Sequence, residues 1–462
     1  MINSQRPIRR RTIAIISSIM FACGLILPGV APAQTDNSVG SSEFLRDGGV
    51  EEGANLSYVH IPLILQHSQP TPDPTPTPTP LPGGPTYTGT QGQITEISLT
   101  SSQNYSAVNA YTDVDVTARF TNPSGTTTTV RGFWDGERTW KIRFTPMESG
   151  TWTIDINNNR DDAGLTQQAT LIVDPADAHG FLRRAQDFTQ SFQFDNGERF
   201  FPLGQTYYEI VNNVRAGGDW KAALTKSKEH GINKVRFLVH TWGDAQKTYP
   251  VSQPFINKDH DRLDLAHWQA LDTVIEELHD TDMIADVILF TDTPLAFGTQ
   301  AQDERVLRYA MARFAAFPNV TWCLTNEWEY TDKSTSYWDQ IGSIVDAEDP
   351  FLRAPAGTLR PAGTLRPAGT LRPVSIHNKT GGKDGGRFAF FDSNWPVHAS
   401  IQYGVRSGYT PYADRWANDS ILRNNGQGIP VINEEYGYIG ETIQHSKNAY
   451  DPTDARNAIW AI

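Results

Sequence analysis

The chain has few cysteines, two among 462 residues. Cys23 lies in an N-terminal apolar run, and removal of that run would leave Cys323 alone and exclude an internal disulfide. Cys323 lies within an apolar segment typical of a buried strand, which favours a small core residue over a nucleophile. Stability must therefore come from packing, which a chain of more than one domain can supply.

The chain also lacks net positive charge and the short motifs of several enzyme classes. Its formal net charge is −13, which disfavours nucleic acid as a partner because phosphates need clustered Lys and Arg. No HExxH motif, Gly-x-Ser-x-Gly elbow or Gly-x-Gly-x-x-Gly loop follows a predicted strand. These absences argue against a zinc hydrolase, a serine hydrolase and a dinucleotide-binding enzyme. The sequence predicts no metal and no cofactor.

Residues 1–33 have the pattern of a secretory signal. Arg9, Arg10 and Arg11 precede the apolar run 13–27, and the small-residue segment 31–33 follows as a cleavage site. The alternative is a membrane anchor, but the run is short for a span. We expect a secreted protein that has no membrane association after cleavage. Residues 34–87 then form a polar segment and a Pro/Thr-rich linker, whose proline density favours extended polyproline II.

Residues 88–175 alternate polar and apolar positions between turn signals. Segments 114–120, 130–136, 140–144 and 150–154 are examples, and short strands at this spacing predict an all-β sandwich. We expect its aromatic residues to be core rather than a ligand platform.

From about residue 200 onward, apolar strand-like runs alternate with amphipathic helical stretches. The predicted strands are residues 200–207, 232–239, 283–290, 320–324, 374–376, 399–403 and 429–433. The predicted helices are residues 220–230, 266–280, 304–317, 337–347 and 412–424, with another from Asp454. This pattern predicts an α/β fold for residues 176–462, a (β/α)8 TIM barrel behind the N-terminal sandwich. Its eighth βα unit is missing, so we expect a fragment or a damaged protein with exposed strand edges.

The hexapeptide Pro-Ala-Gly-Thr-Leu-Arg occurs three times, at 355–360, 361–366 and 367–372. It falls between the fourth helix and the fifth strand of the predicted barrel. That connection lies on the face opposite the chemistry, so we interpret the repeat as a tolerated expansion of a surface loop rather than a binding element.

Glutamates follow two of the predicted barrel strands. Glu327 comes after strand four, and Glu434 and Glu435 come after strand seven. The carboxyl ends of parallel strands meet at one rim, so we expect a carboxylate pair with aromatic neighbours. Such a pair supplies the two carboxyl groups that hydrolysis of a glycosidic bond requires. Apolar surroundings, here Trp322 and Trp328, would raise the pKa of Glu327 and suit it to act as the acid.

Other polar and aromatic side chains at strand ends suit a carbohydrate partner, because sugar rings stack on aromatic faces and hydroxyls seek planar polar groups. The predicted substrate-binding residues are Asn326, Gln205, Tyr207, His240, Trp242, Trp328, His377, Gln402, Tyr403 and Tyr436. Tyr403 and Tyr436 are also candidates to hold the opposing glutamate ionised, and Tyr208 stands beside Tyr207. Each residue alone also fits a structural role; His377, for example, fits a cap on strand five.

At these positions the chain resembles the retaining glycoside hydrolases of clan A. Asn326-Glu327 is similar to the clan's acid/base motif, and Glu435-Tyr436-Gly437 is similar to its nucleophile motif. The resemblance implies that Glu327 is the acid/base and that Glu435, not Glu434, is the nucleophile.

Residues 132–136, 140–146 and 150–152 resemble the small β-sandwich that precedes apiosidase-like barrels, and residues 204–207 resemble the first strand of those barrels. The resemblance spans residues 88–462 and implies hydrolysis of O-glycosidic bonds in a polysaccharide or its side chains. The missing eighth unit keeps two alternatives open. One is an inactive carbohydrate-binding or truncated remnant, and the other is a surface-attachment protein. The sugar, the mode of cleavage and the oligomeric state are left open.

Overall fold

The computed structural model describes residues 83–185, 187–242, 252–353, 371–379, 388–402, 428–435, 438–439 and 449–450. Several predictions concern residues outside these ranges: the signal segment 1–33, most of the linker, the helices predicted at 412–424 and from Asp454, and the side chains of Tyr403 and Tyr436. No helix in the described ranges is both long enough and apolar enough to cross a membrane.

Two β-sheets make up the N-terminal part of the described chain. Their elements are β1 (Thr86–Thr90), β2 (Thr95–Thr100), α1 (Ala107–Thr112), β3 (Val116–Thr121), β4 (Thr127–Arg131), β5 (Phe133–Trp134), β6 (Thr139–Phe144), β7 (Gly150–Asn158) and β8 (Gln167–Asp174). One sheet has the order β1-β8-β7-β3-β4 and the other β2-β6-β5. β1 and β8 are parallel, and the other pairs are antiparallel.

The period-2 pattern of these strands explains their core. In β2 every second residue is buried and the others are exposed, as a half-buried strand requires. The rings of Phe120 and Phe144 stack at 4.0 Å between centroids, and Trp152 meets Phe144 edge-on at 5.2 Å. Trp134, Trp140 and Trp152 are all buried, as predicted for core aromatics.

The remaining described chain is a mixed α/β region. Its strands are β9 (Leu182–Arg184), β10 (Phe192–Phe194), β11 (Arg199–Phe200), β12 (Gly204–Thr206), β13 (Lys234–Leu238), β14 (Ile284–Phe290), β15 (Val320–Thr325), β16 (Val374–Ser375), β17 (Ala399–Gln402), β18 (Val431–Glu435), β19 (Tyr438–Ile439) and β20 (Ala449–Tyr450). Its helices are α2 (Ile210–Arg215), α3 (Trp220–Glu229), α4 (Leu265–Asp280), α5 (Gln300–Phe314) and α6 (Thr335–Glu348).

The parallel strands pair in chain order. β12 to β16 form a five-stranded sheet, and β17 and β18 form a two-stranded sheet. A single parallel bridge between His377 and Ser400 joins the end of β16 to β17. Among the described strands, β12 and β18 are not hydrogen-bonded to each other. The predicted alternation of strands and helices is therefore present, whereas this strand order does not establish the predicted closed barrel.

The strand predicted at residues 200–207 is wrong in its first half. Arg199 and Phe200 belong to β11, which pairs antiparallel with β10, and only Gly204–Thr206 joins the parallel sheet. Pro202 between them lacks an amide hydrogen and cannot donate to a ladder, which separates the two strands. The small sheet β9–β11 packs Leu182 and Phe192 against Ile284, at the amino end of β14.

Buried charges connect the sandwich to the helices of the α/β region. Arg143 of β6 donates to Asp272 of α4 over 2.7 Å, and Arg313 of α5 donates to Asp135 over 2.8 Å. Tyr309 also donates to the Trp134 carbonyl over 2.8 Å. The segment that resembled a known sandwich thus supplies contacts to the α/β region.

The last hexapeptide copy corrects the surface-loop prediction in part. Residues 354–370 lie outside the described ranges, but Leu371 and Arg372 are buried. The Arg372 guanidinium lies 3.2 Å from Asp349 and donates to the Ala315 carbonyl over 2.6 Å. The end of the third copy is therefore part of the core between α6 and β16.

Candidate active site

Glu327 lies just beyond the carboxyl end of β15. All six residues of β15 are buried, and Asn326 after them is buried as well. The Glu327 backbone then turns into the left-handed region, with φ 44° and ψ 58°. A left-handed residue other than glycine costs about 1–2 kcal/mol and is common where a site dictates side-chain direction.

The environment of Glu327 favours its protonated form. Burial raises the pKa of Glu327 to about 8, with further contributions from the carboxylates of Glu435, Asp292 and Glu329. Gln402, at the end of β17, hydrogen-bonds the same carboxyl and opposes the shift. A carboxyl in this environment can donate a proton at neutral pH.

Glu434 and Glu435 are adjacent in β18 but have different surroundings. The register between β17 and β18 shifts at this point, because Ile401 pairs with Asn433 and Gln402 pairs with Glu435. Glu434 is the extra residue of a β-bulge, a feature that redirects side chains. The Glu434 side chain is 4% exposed and lies 2.6 Å from Lys234 Nζ. Burial opposes its ionisation, but Lys234 and Arg236 hold its pKa well below the ordinary value.

Tyr208 connects the two glutamate-bearing segments. It follows β12, and its hydroxyl donates to Glu435 Oε2 over 2.6 Å. The same hydroxyl lies 3.4 Å from Asn326 Oδ1, beside Glu327. The structure thus brings together Asn326, Glu327, Gln402 and Glu435 from the predicted set.

Trp242 forms one wall of this region. Its indole N–H donates to Asp292 over 2.7 Å, and its ring meets Tyr208 edge-on with centroids 4.5 Å apart. Tyr208 and Trp242 pack on a small apolar cluster of Leu238, Ile288 and Cys323. Cys323 is buried as predicted, and burial raises the pKa of its thiol to about 12, which leaves it unreactive.

Three residues predicted to bind substrate are held elsewhere. Gln205 accepts a hydrogen bond of 2.9 Å from Ser227 of α3, so its side chain lies toward the helix layer. The Tyr207 hydroxyl accepts from Asn213 of α2, so Tyr208 rather than Tyr207 contacts the carboxylate. His240 is buried against Phe290, and burial lowers its pKa to about 3.

The structure also shows the surroundings of Trp328, Trp322 and His377. Trp328 packs edge-on against Phe390 at 5.3 Å. Trp322 is fully buried and donates to Asp349 over 2.9 Å, so it is not the apolar neighbour expected for Glu327. His377 is fully buried, and burial lowers its pKa well below the ordinary value. Its role in substrate binding stays a prediction.

Sequence reasoning missed the carboxylates Asp292 and Glu329. Asp292 comes two residues after β14, a strand-end position that the rule for parallel sheets does select. Glu329 accepts hydrogen bonds from Asn378 and from the Lys379 amide over 3.1 and 2.8 Å. No sequence pattern identifies Glu329, since its partners lie about fifty residues away along the chain.

Two family models match the chain. The model described as "Apiosidase-like, catalytic domain" matches residues 188–462. The model described as "Domain of unknown function (DUF5060)" matches residues 90–159, within the sandwich. No curated protein sequence matches the chain.

Solved structures resemble the chain as well. One is a Bacteroides vulgatus protein whose assignment as a glycoside hydrolase is itself provisional. It has 26% sequence identity and a TM-score of 0.65, and the match covers 81% of this chain and 70% of that protein. A family 5 glycoside hydrolase from the same organism has 19% identity and a TM-score of 0.45 over 61% of this chain and 60% of its own. The second likeness is too distant to carry an argument. The family match and the first structure support a glycoside hydrolase function.

Proposed function

This chain belongs to the apiosidase-like catalytic-domain family, and from that premise we propose that it is a retaining glycoside hydrolase acting on a polysaccharide or its side chains. Glu327 is the acid/base and Glu435 is the nucleophile. The observation that carries the proposal is the unequal environment of the two carboxyls. Burial and neighbouring carboxylates favour a protonated Glu327, whereas Glu435 accepts a 2.6 Å hydrogen bond from the Tyr208 hydroxyl.

These environments suit a double displacement. In the first step, Glu327 gives its proton to the glycosidic oxygen while a Glu435 oxygen attacks the anomeric carbon. The bond from that carbon to the leaving oxygen breaks, and a glycosyl ester forms on Glu435. In the second step, Glu327 takes a proton from water, the water oxygen attacks the anomeric carbon, and the ester bond breaks. Net retention follows from two inversions.

The test is hydrolysis of a panel of aryl glycosides and plant polysaccharides, with the released anomer followed by proton NMR. We expect the first product to have the anomeric configuration of the substrate. Glu435→Gln should abolish turnover because an amide does not attack the anomeric carbon, while unfolding in urea should resemble wild type. Turnover by this variant, or release of the inverted anomer, would refute the nucleophile assignment.

We also propose that the chain is secreted and that strands β12 to β18 belong to a closed barrel. Support for secretion is the signal-like pattern of residues 1–33. Support for closure is that Lys234 of β13 and Glu434 of β18 are joined across the gap between the two sheets. Expression in a bacterial host followed by N-terminal sequencing of extracellular protein tests secretion. A mature chain that still begins at residue 1 would contradict it.

A further inference from the structure

A group of charged side chains lies buried beneath the candidate site. Lys234 and Arg236 come from β13, Asp286 from β14, and Glu434 from β18, and the side chains of all four are at most 5% exposed. Lys234 Nζ lies 2.9 Å from Asp286 and 2.6 Å from Glu434, so one ammonium serves two carboxylates. Burying four charges is expensive unless each is paired. The four buried charges therefore indicate a role other than stabilising the fold.

Glu434 differs from the other members in where it stands along its strand. It is the bulged residue of β18, and Glu435 is its immediate neighbour. Its carboxylate is held by Lys234 and lies 3.5 Å from His398 Nε2, while its carbonyl lies 3.4 Å from Arg236 Nη1. Both the side chain and the backbone of the bulge are therefore attached to the buried charges.

The bulge determines the direction in which the side chain of the next residue points. In an unbroken strand, successive side chains point to opposite faces, so two adjacent glutamates would not both face the interior. The extra residue allows Glu434 to enter the charged group while Glu435 reaches the Tyr208 hydroxyl. We propose that Glu434 is a positioning residue, whose ion pair with Lys234 fixes the bulge and thereby orients Glu435 toward the Tyr208 hydroxyl. This inference rests on the proposed function of Glu435.

The test compares two substitutions that remove the same charge from the same group. Glu434→Gln removes the carboxylate by which β18 is ion-paired to Lys234. Asp286→Asn removes the other carboxylate that pairs with Lys234, which belongs to β14. We expect Glu434→Gln to lower kcat about 100-fold or more with KM changed less than about 3-fold, because a misplacement of about 1 Å has that cost. Asp286→Asn should keep kcat within about 5-fold of wild type. Equal losses in both variants would overturn the proposal.

A second readout needs no substrate. Glu327 is faced by the carboxylates of Glu435, Asp292 and Glu329, and Gln402 hydrogen-bonds it. If Glu435 moves away, its contribution to the raised pKa of Glu327 is lost. A carboxyl ¹³C NMR titration of the full chain should therefore give a lower pKa for Glu327 in Glu434→Gln than in wild type and Asp286→Asn. An unchanged titration in Glu434→Gln would overturn the proposal.

A paired substitution covers the case in which Glu434→Gln does not fold. Lys234→Met combined with Glu434→Met replaces the ion pair by apolar chains, a change that often preserves the fold. Arg236 remains beside Asp286, 3.6 Å away, so charge stays balanced. We expect the same loss of kcat and the same lowered pKa of Glu327. If wild type hydrolyses no glycoside, the proposed function fails, and the NMR titration alone decides whether Glu434 positions Glu435.

Discussion

The Tyr208 hydroxyl lies 2.6 Å from Glu435 Oε2 and joins the ends of β12 and β18, which are more than two hundred residues apart in sequence. Tyr208 is also 3.4 Å from Asn326, so one phenol contacts both glutamate-bearing segments. The ring rests on Leu238, Ile288 and Cys323, which limits its movement. A rigid donor at this position holds the carboxylate without reorganisation during reaction.

Tyr208→Phe should lower kcat/KM by about 10- to 100-fold, because a hydrogen bond to a charged group contributes about 1.5–3 kcal/mol. Initial rates on the best aryl glycoside measure the loss. The control is Tyr105→Phe, which removes a 3.2 Å hydrogen bond to Asp162 within the sandwich. A Tyr208 variant with wild-type kcat/KM would show that the contact does not serve the reaction.

The pH profile of kcat/KM should fall on its alkaline side near pH 8, since Glu327 must be protonated to act as the acid and its pKa is about 8. Asp292→Asn removes one of the carboxylates that raise this pKa, and the Asn oxygen can still accept from Trp242. The alkaline limb should therefore move to lower pH in this variant. Asp161→Asn, an exposed change in the sandwich, should leave the limb in place. A limb that does not move in Asp292→Asn contradicts this electrostatic account.

Glu327 should make the folded protein less stable as pH rises. Its folded-state pKa of about 8 is above the ordinary value of 4.5, so the folded state binds the proton more tightly. The favourable contribution is complete below about pH 4.5 and is lost as pH rises through 8. Glu327→Gln does not titrate, so its Tm relative to wild type should increase between pH 5 and pH 8.5.

Glu137→Gln gives the baseline for that comparison, because Glu137 is exposed and also has a positive φ, 46°. Thermal unfolding followed by circular dichroism at both pH values is sufficient. A Tm difference for Glu327→Gln that is the same at pH 5 and pH 8.5 would mean that the carboxyl is not buried as described.

The end of the third hexapeptide should contribute to stability. Arg372→Ala leaves Asp349 and the Ala315 carbonyl without a buried cationic partner, and the free energy of unfolding should fall by about 3 kcal/mol. Arg262→Ala, the same change at an exposed position, should have an effect within about 0.5 kcal/mol. Urea unfolding measures both. A destabilisation by Arg262→Ala as large as that of Arg372→Ala would contradict the core role of Arg372.

The local sequence predicted the secondary structure well where the properties of a single strand determine it. The largely apolar runs predicted β13 to β15 within two residues at each end, since strands buried on both faces are rich in apolar residues. The sequence did not predict that Lys234, Arg236 and Asp286 within these strands are buried as well. The same runs located Glu327 and Glu435 at strand ends. The sequence failed at residues 200–207, where Pro202 splits an apolar run into strands of two different sheets.

The binding residues were harder to predict, because strand-end position does not fix direction. Tyr207 and Tyr208 are adjacent and chemically alike, yet the Tyr208 hydroxyl contacts Glu435, while the Tyr207 hydroxyl contacts Asn213. His240 and His377 stand at strand ends as well, but both are buried. Burial depends on how neighbouring strands and helices pack, and no periodicity of a single segment encodes that packing.

The amino-acid sequence by itself determined the alternation of strands and helices from β13 to α6, the buried character of β13 to β15 and the two segments that carry the glutamates, because these follow from local periodicity. Only the tertiary structure decided which of Glu434 and Glu435 is buried among charges and which contacts Tyr208. That choice depends on a one-residue bulge against β17 and on Lys234 of a strand two hundred residues earlier. A register shift and an ion pair between distant strands exist only once the chain has folded.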